Sequence, residues 1–212
     1  MSERPHTGVE FILVGGGGHA RVVCSILQRH GAKISGYTAP EAGDHMPCAY
    51  LGTDEVLLTA SGSKRSIALG VGLPRVNEAR NALLTQLLQQ LDAPVIIAAS
   101  ATVPGDIDIG PGSVVFDGAI IATGSTIGQG CIINHNASVD HDCTIGNNVH
   151  IGPGATLCGN VRVGDHCLIG AGSTILPDVG IGSGSTIAAG ATVTRTAEGN
   201  ALYAGCPAKR LK

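Results

Sequence analysis

Residues 138–161 read SVDHDCTIGNNVHIGPGATLCGNV and repeat one pattern every six residues. An aliphatic residue opens each repeat, and a Cys, Val or Ala stands four places after it. The aliphatic residues are Val139, Ile145, Ile151 and Leu157. The small residue and the next aliphatic residue are two places apart, so on an extended strand both side chains point to the same face. With Gly, Asn and Asp between them to form tight turns, the stretch predicts short strands with one buried face and a corner every six residues.

The same period continues on both sides of this stretch without an insertion. Sixteen aliphatic residues keep the spacing of six from Val103 to Val193. Self-similarity at a short fixed period is typical of a solenoid, in which each repeat buries its apolar face by stacking on its neighbours. Residues 99–212 are therefore predicted to form a coil whose parallel strands stack about 4.8 Å apart, followed by a C-terminal tail.

Strand-like and helix-like stretches alternate along residues 1–98, which predicts a small Rossmann-like parallel sheet with helices on its faces. The predicted strands are FILV (11–14), KISGY (33–37), SIALGVG (66–72) and PVIIA (94–98). Helices are expected from about Gly18, around 54–60 and within 74–91. We therefore expect two domains, with the boundary between residues 98 and 99.

The composition suits a core without large rings. Aromatic residues make up 2% of the 212 residues and 32 residues are glycine, so aliphatic and small side chains must close the core. The net charge of −3, with 14% charged residues, leaves no basic surface for nucleic acid and no polybasic membrane anchor. No apolar run approaches the length of a membrane span. We therefore expect a cytoplasmic protein with neither nucleic-acid nor membrane partners.

The run GGGGHA at 15–20 follows the first predicted strand and opens the first helix. It satisfies the G-x-G-x-x-A form of a dinucleotide site. A nicotinamide site also needs an acid about 20 residues later, whereas residues 38–40 are Thr-Ala-Pro and no acid precedes Glu41. Backbone N–H groups at a helix N-terminus still bind an anion such as a diphosphate. We expect a diphosphate and sugar site; a turn with only a structural role is the alternative. The candidate substrate residues here are Gly15, Gly16, Gly17, Gly18, His19, Thr38 and Pro40.

His141 lies between Asp140 and Asp142, at a turn position of its repeat. A neutral imidazole accepts a proton near neutral pH because its usual pKa is about 6.5. A carboxylate on the other ring nitrogen would fix the tautomer and stabilise the imidazolium, but the sequence does not decide which Asp reaches the ring. A corner histidine without a chemical role is the alternative. Three further histidines in polar or loop stretches are expected to be solvated: His6, His30 and His45.

Together these features resemble the hexapeptide-repeat acyltransferases, whose left-handed parallel β-helix has three hexads, about 18 residues, per coil. The nearest resemblance is to the bacterial sugar-nucleotide N-acetyltransferases of the bacillosamine, perosamine and sialic-acid-pathway group. It rests on GGGGHA (15–20), VDHDCTIGNNVHIGPGATLCGN (139–160) and AGCPAKRLK (204–212), and extends over essentially the whole chain. It implies about five coils, a homotrimer with active sites between subunits, acetyl-CoA as co-substrate, no metal, and a place in O-antigen biosynthesis.

The resemblance also implies roles for individual residues. His141 would be the general base and Asp142 its partner, with Asp140 as the alternative. Gly159 stacks beside His141 in a coil of three hexads, and its backbone N–H would bind the acetyl oxygen; a glycine required only by the turn is the alternative. The other implied contacts are Asn134 near the substrate amine, His150 near the acetyl group and pantetheine arm, and Pro207 and Lys209 along the CoA nucleotide.

The expected activity is direct transfer of the acetyl group from acetyl-CoA to the amine of a nucleotide-linked amino sugar. The C4 amine of GDP-perosamine is the nearest named acceptor, because uridine-using relatives carry acids where this chain has residues 38–40. The alternatives are a UDP-linked sugar, O-acetylation in the sialic-acid pathway, and a coil without catalysis. A zinc carbonic anhydrase would need three converging histidines, and the histidine spacing here does not match that family.

Overall fold

The computed structural model describes residues 6–59, 65–72 and 78–211. Its front part consists, in chain order, of β1 (Glu10–Val14), α1 (Gly18–Arg29), β2 (Lys33–Thr38), β3 (Tyr50–Gly52), α2 (Glu55–Thr59), β4 (Arg65–Leu69) and α3 (Glu78–Gln90). The strands form one parallel sheet in the order β3-β2-β1-β4. The predicted alternation of strands and helices is confirmed. Strand β3 was not predicted, because three residues are too few to show an alternating pattern.

Helix α1 follows the glycine turn directly and packs one face against the sheet. Its buried residues recur at helical spacing and are Ala20, Val23, Cys24, Ile26 and Leu27. Gly17 precedes the helix in an extended conformation, and Gly31 follows it with φ +73°, a conformation that glycine adopts without strain. Strands β2 and β4 lie on either side of β1, so the start of α1 sits at the switch point of the sheet, where ligands of such folds bind.

From residue 96 the chain is a succession of short strands and tight turns. The strands are β5 (Ile96–Ile97), β6 (Asp108–Ile109), β7 (Val114–Val115), β8 (Ile120–Ile121), β9 (Thr126–Ile127), β10 (Ile132–Ile133), β11 (Ser138–Val139), β12 (Thr144–Ile145), β13 (His150–Ile151), β14 (Thr156–Leu157), β15 (Arg162–Val163), β16 (Leu168–Ile169), β17 (Thr174–Ile175), β18 (Gly180–Ile181), β19 (Thr186–Ile187), β20 (Thr192–Val193), β21 (Leu202–Gly205) and β22 (Ala208–Arg210).

Three stacked sheets make the three faces of this coil. The first face has the order β22-β21-β19-β16-β13-β10-β7-β5, the second β20-β17-β14-β11-β8, and the third β18-β15-β12-β9-β6. Ile133 pairs in parallel with Ile151 and Val139 with Leu157, 18 residues further in each case. Three hexads therefore make one coil. The predicted fold class, an α/β domain followed by a left-handed parallel β-helix of hexapeptide repeats, is confirmed.

The corners explain why Gly, Asn and Asp recur between the aliphatic residues. In every hexad from Gly112 to Gly190, the residue three places after the aliphatic one has a positive φ. Glycine adopts this left-handed conformation freely, and Asn, Asp and His tolerate it better than other residues. The non-glycine residues at this place in the coil are Asn136, Asp142, Asn148, Asn160, His166 and Asp178. Asp142 therefore satisfies a backbone requirement in addition to any chemical one.

The interior of the coil is lined by the aliphatic residues and by small ones, including cysteines. Cys131, Cys143 and Cys167 are buried and unpaired, at the small-residue place that the hexad pattern assigns to the buried face. Their Sγ atoms lie 3.1–3.2 Å from backbone carbonyl oxygens of the next coil, which gives each thiol an acceptor. Burial raises the pKa of Cys131 and of Cys167 to about 11, so these thiols stay protonated and serve as core residues.

Strand β5 corrects the prediction for PVIIA. This segment was assigned to the front sheet, but Ile96 and Ile97 pair with Val114 and Val115 on the first face of the coil. Ile97 stands six residues before Val103 and thus keeps the hexad register. Ile97 packs against the coil core, whereas Ile96 packs with the front part. The coil therefore begins one hexad earlier than the aliphatic run suggested.

The front part packs on the first face of the coil. Outward side chains of that face, Val114 and Ile132, share a buried cluster with Phe11, Val23 and Leu27. At the corner between the first and second faces, the Arg29 guanidinium binds both carboxylate oxygens of Asp117 at 2.8 and 2.6 Å. At the corner between the third and first faces, a Cβ on Gly130 would lie 3.2 Å from Leu84 of α3. The corner between the second and third faces is thus opposite the face that the front part covers.

Two histidines that were expected to be solvated are buried. His6 is 8% and His30 is 3% exposed, and their ring centroids lie 5.4 Å apart. The edge of the His6 ring also meets Phe11 at 5.4 Å. The expectation for these two residues was wrong because their polar sequence neighbours do not report a long-range contact. His45 is exposed, as expected.

Acidification below pH 6.5 is expected to destabilise the fold through His6 and His30. Burial lowers the pKa of both rings, so they stay neutral in the folded protein where the unfolded chain, with a pKa of about 6.5, binds protons. The contribution of the two buried neutral rings to the free energy of unfolding is complete above pH 6.5. It is lost as the pH falls from 6.5 towards the lowered pKa values of the folded protein. Between pH 7.5 and 5.5 the melting temperature should fall by roughly 2–5 °C more in the wild type than in the His6→Phe/His30→Phe variant. An identical pH dependence in the double variant and in a His45→Phe control would contradict this assignment.

Candidate functional site

The glycines of the turn at 15–18 have different reasons to be glycine. A Cβ on Gly15 would lie 2.9 Å from the carbonyl of Gly70, and one on Gly16 would lie 2.8 Å from the ring of Tyr37. Packing alone excludes a side chain at both positions. A Cβ on Gly17 would meet nothing within 4 Å, and its extended backbone suits any residue. Room for a ligand against the start of the helix is therefore a physical reason for a glycine at 17.

A cleft of about 510 Å³ opens beside this turn. Gly16 and Gly17 form one wall, and residues 39–44 form the other. The Tyr37 hydroxyl accepts the backbone N–H of Gly43 at 2.8 Å, which holds the second wall across the carboxyl ends of β1 and β2. Ligands of parallel α/β sheets bind at these ends, so the cleft lies where a ligand of the front sheet is expected.

The two residues predicted after β2 differ in their position. Thr38 is buried, and its hydroxyl donates to Oδ1 of Asp54 at 2.6 Å, whereas Pro40 lines the cleft. The same wall brings Glu41 and Asp44 to the cleft. Sequence analysis did not propose Glu41 or Asp44 as site residues, because it looked for a carboxylate directly after the strand and both lie further along a loop.

His19 lies in the first turn of α1 and faces the coil. Its ring centroid is 5.2 Å from that of Phe116. Burial, reinforced by the nearby charges of His150, Arg80 and His135, lowers the pKa of His19 to about 3. The ring is therefore neutral at pH 7 and offers hydrogen bonding to a ligand instead of charge.

Asn134 joins two histidines at the corner between the first and second faces. Its Oδ1 accepts the backbone N–H of His135 at 2.8 Å and lies 2.9 Å from Nδ1 of the same residue. Its Nδ2 lies 3.0 Å from Nε2 of His150. The predicted residues Asn134 and His150 are therefore in contact, on the side of the coil that carries the front part.

His141 and Asp142 form a close pair at the corner between the second and third faces. Nδ1 of His141 lies 2.7 Å from Oδ2 of Asp142, while Oδ1 of Asp140 accepts the backbone N–H of His141 at 2.8 Å. Of the two acids, Asp142 thus reaches the ring and Asp140 holds the backbone. The hydrogen bond from Asp142, followed by the charge of Asp140, raises the pKa of His141 above its usual value.

The His141 ring lies directly over Gly159. A Cβ on Gly159 would be 2.6 Å from both Cε1 and Nε2 of that ring. The backbone of Gly159 is not in the left-handed region, so the turn itself does not demand a glycine. Among the described residues, no carbonyl accepts the Gly159 N–H. This corner thus combines a histidine, a carboxylate on its Nδ1, and a glycine with an unused backbone N–H stacked against the ring.

The predicted site residues fall into separate groups within one chain. The glycine turn, His19, Asn134 and His150 lie where the front part meets the first face. His141, Asp142 and Gly159 lie at the opposite corner. Pro207 and Lys209 lie in the hairpin β21–β22, which ends the first face. One chain does not bring the glycine turn to His141.

Metal ligation and membrane insertion also bear on the site. Within residues 6–59, 65–72 and 78–211, no three His, Cys, Asp or Glu side chains are grouped so that they could hold a metal ion. In the same residues, none of the helices has the length and apolar character needed to cross a membrane.

Comparison with known families and structures gives consistent results. The family described as bacterial transferase hexapeptide (six repeats) matches residues 124–159 and 160–195. The comparison with curated protein sequences gave no match.

Several solved structures match nearly the whole chain. The acetyltransferase domain of PglB from Neisseria gonorrhoeae FA1090, in complex with acetyl coenzyme A, is 33% identical, covering 95% of this chain and 98% of that one, with a TM-score of 0.88. PerB from Caulobacter crescentus, in complex with CoA and GDP-perosamine, is 31% identical, covering 97% and 99%, with a TM-score of 0.89. WeeI from Acinetobacter baumannii AYE, at 20% identity, 96% and 100% coverage and a TM-score of 0.84, shares the fold.

Because Asp142 contacts the ring and Asp140 contacts the backbone, replacing each acid is expected to change the pKa of His141 by a different amount. Replacing Asp142 by Asn removes the ring's charged partner, so the pKa of His141 should fall clearly towards 6.5. Replacing Asp140 by Asn removes only a more distant charge and should lower that pKa less. An NMR titration of the His141 ring protons in both variants measures the two shifts. A larger fall in Asp140→Asn than in Asp142→Asn would contradict the geometry.

Proposed function

This chain belongs to the hexapeptide-repeat family of bacterial transferases and is an acyltransferase, and we propose that it transfers the acetyl group of acetyl-CoA to the amine of a nucleotide-linked amino sugar. The observation that carries the proposal is the His141 ring, with Asp142 on Nδ1 and the backbone of Gly159 against the edge that carries Nε2. Two relatives of 33% and 31% identity, described with acetyl coenzyme A and with CoA and GDP-perosamine, support the choice of substrates.

The His141 pair has the chemistry that amide formation from a thioester requires. With Asp142 on Nδ1, the neutral ring carries its lone pair on Nε2 and takes a proton from the attacking amine. Asp142 stabilises the imidazolium that results. The proton then passes to the thiolate of the departing CoA. The transfer is direct, so His141 acts on the amine and forms no acyl intermediate.

The surroundings of His141 suit the acetyl group of the thioester. The Gly159 N–H is unused among the described residues and would donate to the oxyanion as the amine attacks. A glycine there leaves room for the His141 ring and for the thioester. We assign the pantetheine arm to His150, and the CoA nucleotide to Pro207 and to Lys209, whose ammonium suits a phosphate.

A second copy of the chain completes the site in this proposal. The glycine turn that would hold the sugar nucleotide and the corner that carries His141 lie on opposite sides of one coil. A sugar bound at the turn therefore needs the His141 corner of a neighbouring subunit. This supports a homotrimer in which each active site lies between two subunits, a closed ring with head-to-tail interfaces.

The cleft beside the turn favours a guanine nucleotide. Glu41 and Asp44 in its wall are hydrogen-bond acceptors, and guanine offers the N1–H and N2–H donors that a carboxylate accepts in pairs. Uracil offers a single N–H donor. GDP-perosamine, acetylated at its C4 amine, is therefore the acceptor we propose, with Gly15–His19 at the diphosphate and sugar.

The His141→Asn variant is expected to lose turnover without losing its fold. The residue is exposed at a corner, so its replacement should leave the fold intact. General-base catalysis typically contributes about 10²- to 10⁴-fold to the rate. Turnover with acetyl-CoA and GDP-perosamine, followed by thiol release, should fall by that range, while the KM for acetyl-CoA changes little. The wild-type rate should fall as the pH drops through the raised pKa of His141, and this limb should vanish in the variant.

Near wild-type turnover of His141→Asn at pH 7 would remove His141 as the base. Transfer only to UDP-linked sugars would reverse the nucleotide assignment. Transfer only to a hydroxyl would make the protein an O-acetyltransferase.

Mixing two inactive variants should restore activity if the site lies between subunits. His141→Asn disables the base. Gly17→Asp supplies a favourable helix N-cap without a clash but repels the diphosphate. In randomly mixed trimers, about a quarter of the sites join an intact turn to an intact His141, so about a quarter of wild-type activity should return after the variants are unfolded and refolded together. Each variant refolded alone is the control, and a mixture no more active than either one would place both elements in one chain's site.

A further inference from the structure

His135 occupies the same place in its hexad as His141, one hexad earlier, but in different surroundings. Its sequence neighbours are Asn134 and Asn136 instead of acids. The structure places it in a cleft of about 440 Å³ at the corner between the first and second faces, which it shares with Gly18 and Arg21. Gly18 belongs to the turn proposed to hold the sugar nucleotide. His135 is therefore on the substrate side of the proposed site, opposite the His141 of its own chain.

The hydrogen bonds of Asn134 define the tautomer of the neutral His135 ring. The backbone N–H of His135 can only donate, so the Asn134 atom at 2.8 Å is the oxygen Oδ1. Nδ1 of His135 lies 2.9 Å from this same oxygen and must carry the ring proton to bond with it. The neutral ring thus has its free lone pair on Nε2, away from Asn134.

The ring is also held in place by packing. Its centroid lies 4.9 Å from that of Phe116, and Phe116 is 1% exposed, so this support is fixed in the core. Phe116 also meets the ring of His19 of the front part, with 5.2 Å between the ring centroids. One buried aromatic ring therefore sets the distance between two proposed substrate contacts.

Asn134 itself is poorly suited to receive an amine. Its oxygen already accepts two N–H groups of His135, and its nitrogen is a donor that faces Nε2 of His150. A protonated amine brings only donors. Both carboxylate oxygens of Asp117, in the same cleft, are bound by Arg29, and one also by Ser100. The Nε2 lone pair of His135 is therefore the acceptor at this corner that matches such a group.

On the basis of the proposed function, we propose that His135 binds the protonated amine of the acceptor sugar and takes its first proton. An amine with a pKa of about 8 reaches the site mainly as R–NH₃⁺, which has no lone pair for attack. Transfer of one proton to Nε2 of His135, and from there to solvent, leaves R–NH₂. As this amine attacks the thioester, the second proton passes through the neighbouring subunit's copy of His141 to the CoA thiolate. R–NH₃⁺ and acetyl-CoA thus yield the amide, CoA–SH and H⁺.

The charges around His135 are compatible with release of this proton. Arg21 and Arg29 from α1 and Asp117 from the coil line the cleft with it. The His19 ring interacts with it electrostatically, and the ring of His150 contacts the same Asn134. Arg29 and Asp117 neutralise each other, and the guanidinium lowers the pKa of Asp117 to about 2. His19 is neutral. His135 is half-buried in a cleft that opens to solvent, so the proton it accepts has a direct route out of the site.

The test compares His135→Phe and His135→Gln with the wild type across pH. Phe keeps the ring against Phe116 but has neither nitrogen; Gln keeps a hydrogen-bond acceptor but cannot take a proton. At pH 6.5 we expect kcat/KM for the amino sugar to fall roughly 10- to 100-fold in His135→Phe, with the KM for acetyl-CoA unchanged. At pH 9 the amine is already unprotonated in solution, so the deficit should shrink to a few-fold. His135→Gln should retain the KM for the sugar but show the same pH-dependent loss of kcat.

A control and two opposing outcomes make the assignment decisive. Ala171→Phe adds a ring at the same hexad place and corner, two coils further along, and should behave as the wild type. A deficit in His135→Phe that is equal at pH 6.5 and 9 would indicate a structural role, and no deficit would remove His135 from the site; both overturn the proposal while leaving the proposed function intact. A wild type that acetylates no amino sugar would instead overturn the proposed function, and this proposal with it.

Discussion

The 18-residue register of the coil is the constraint on which the rest of the structure depends. Each strand donates its backbone N–H groups to the strand one coil further along; Asn134 donates to Ile151 and Asp140 to Leu157, both at 2.9 Å. An inserted residue would turn the aliphatic side chains out of the core. Because the strand register cannot shift, the residue stacked on a corner residue is the one 18 positions away in the sequence. His141 and Gly159 are such a pair.

Within this frame, the corners are the places where chemistry can vary. The inward positions must be aliphatic or small, and the left-handed place must suit a positive φ. Asp142 meets that backbone demand with φ +59° and at the same time places its carboxylate on His141. Asn148, at the same place one hexad later, meets the demand without an acid next to a histidine ring. A catalytic carboxylate at this place therefore has little conformational cost to the coil.

Much of the fold follows from sequence because its signals are local and periodic. The hexads predicted the coil, the register and the stacking of Gly159 beside His141. The start of the coil was misplaced, because PVIIA also suits a front-sheet strand, although Ile97 keeps the register. The burial of His6 and His30, the choice of Asp142 over Asp140 at the ring, and the contact of Asn134 with two histidines depend on side-chain directions and on packing between distant segments. No local pattern reports these.

The packing of the front part on the first face has a consequence for specificity. The glycine turn, the cleft beside it and His135 all lie on that side of the coil. In the proposed site, one chain therefore selects the nucleotide, the sugar and the amine. The opposite corner carries His141 and Gly159, so in the proposed site a second chain would perform the transfer. Since neither chain alone joins both functions, an isolated subunit would bind the sugar nucleotide without acetylating it. Assembly would then exclude transfer to amines that reach His141 without first being held by the turn.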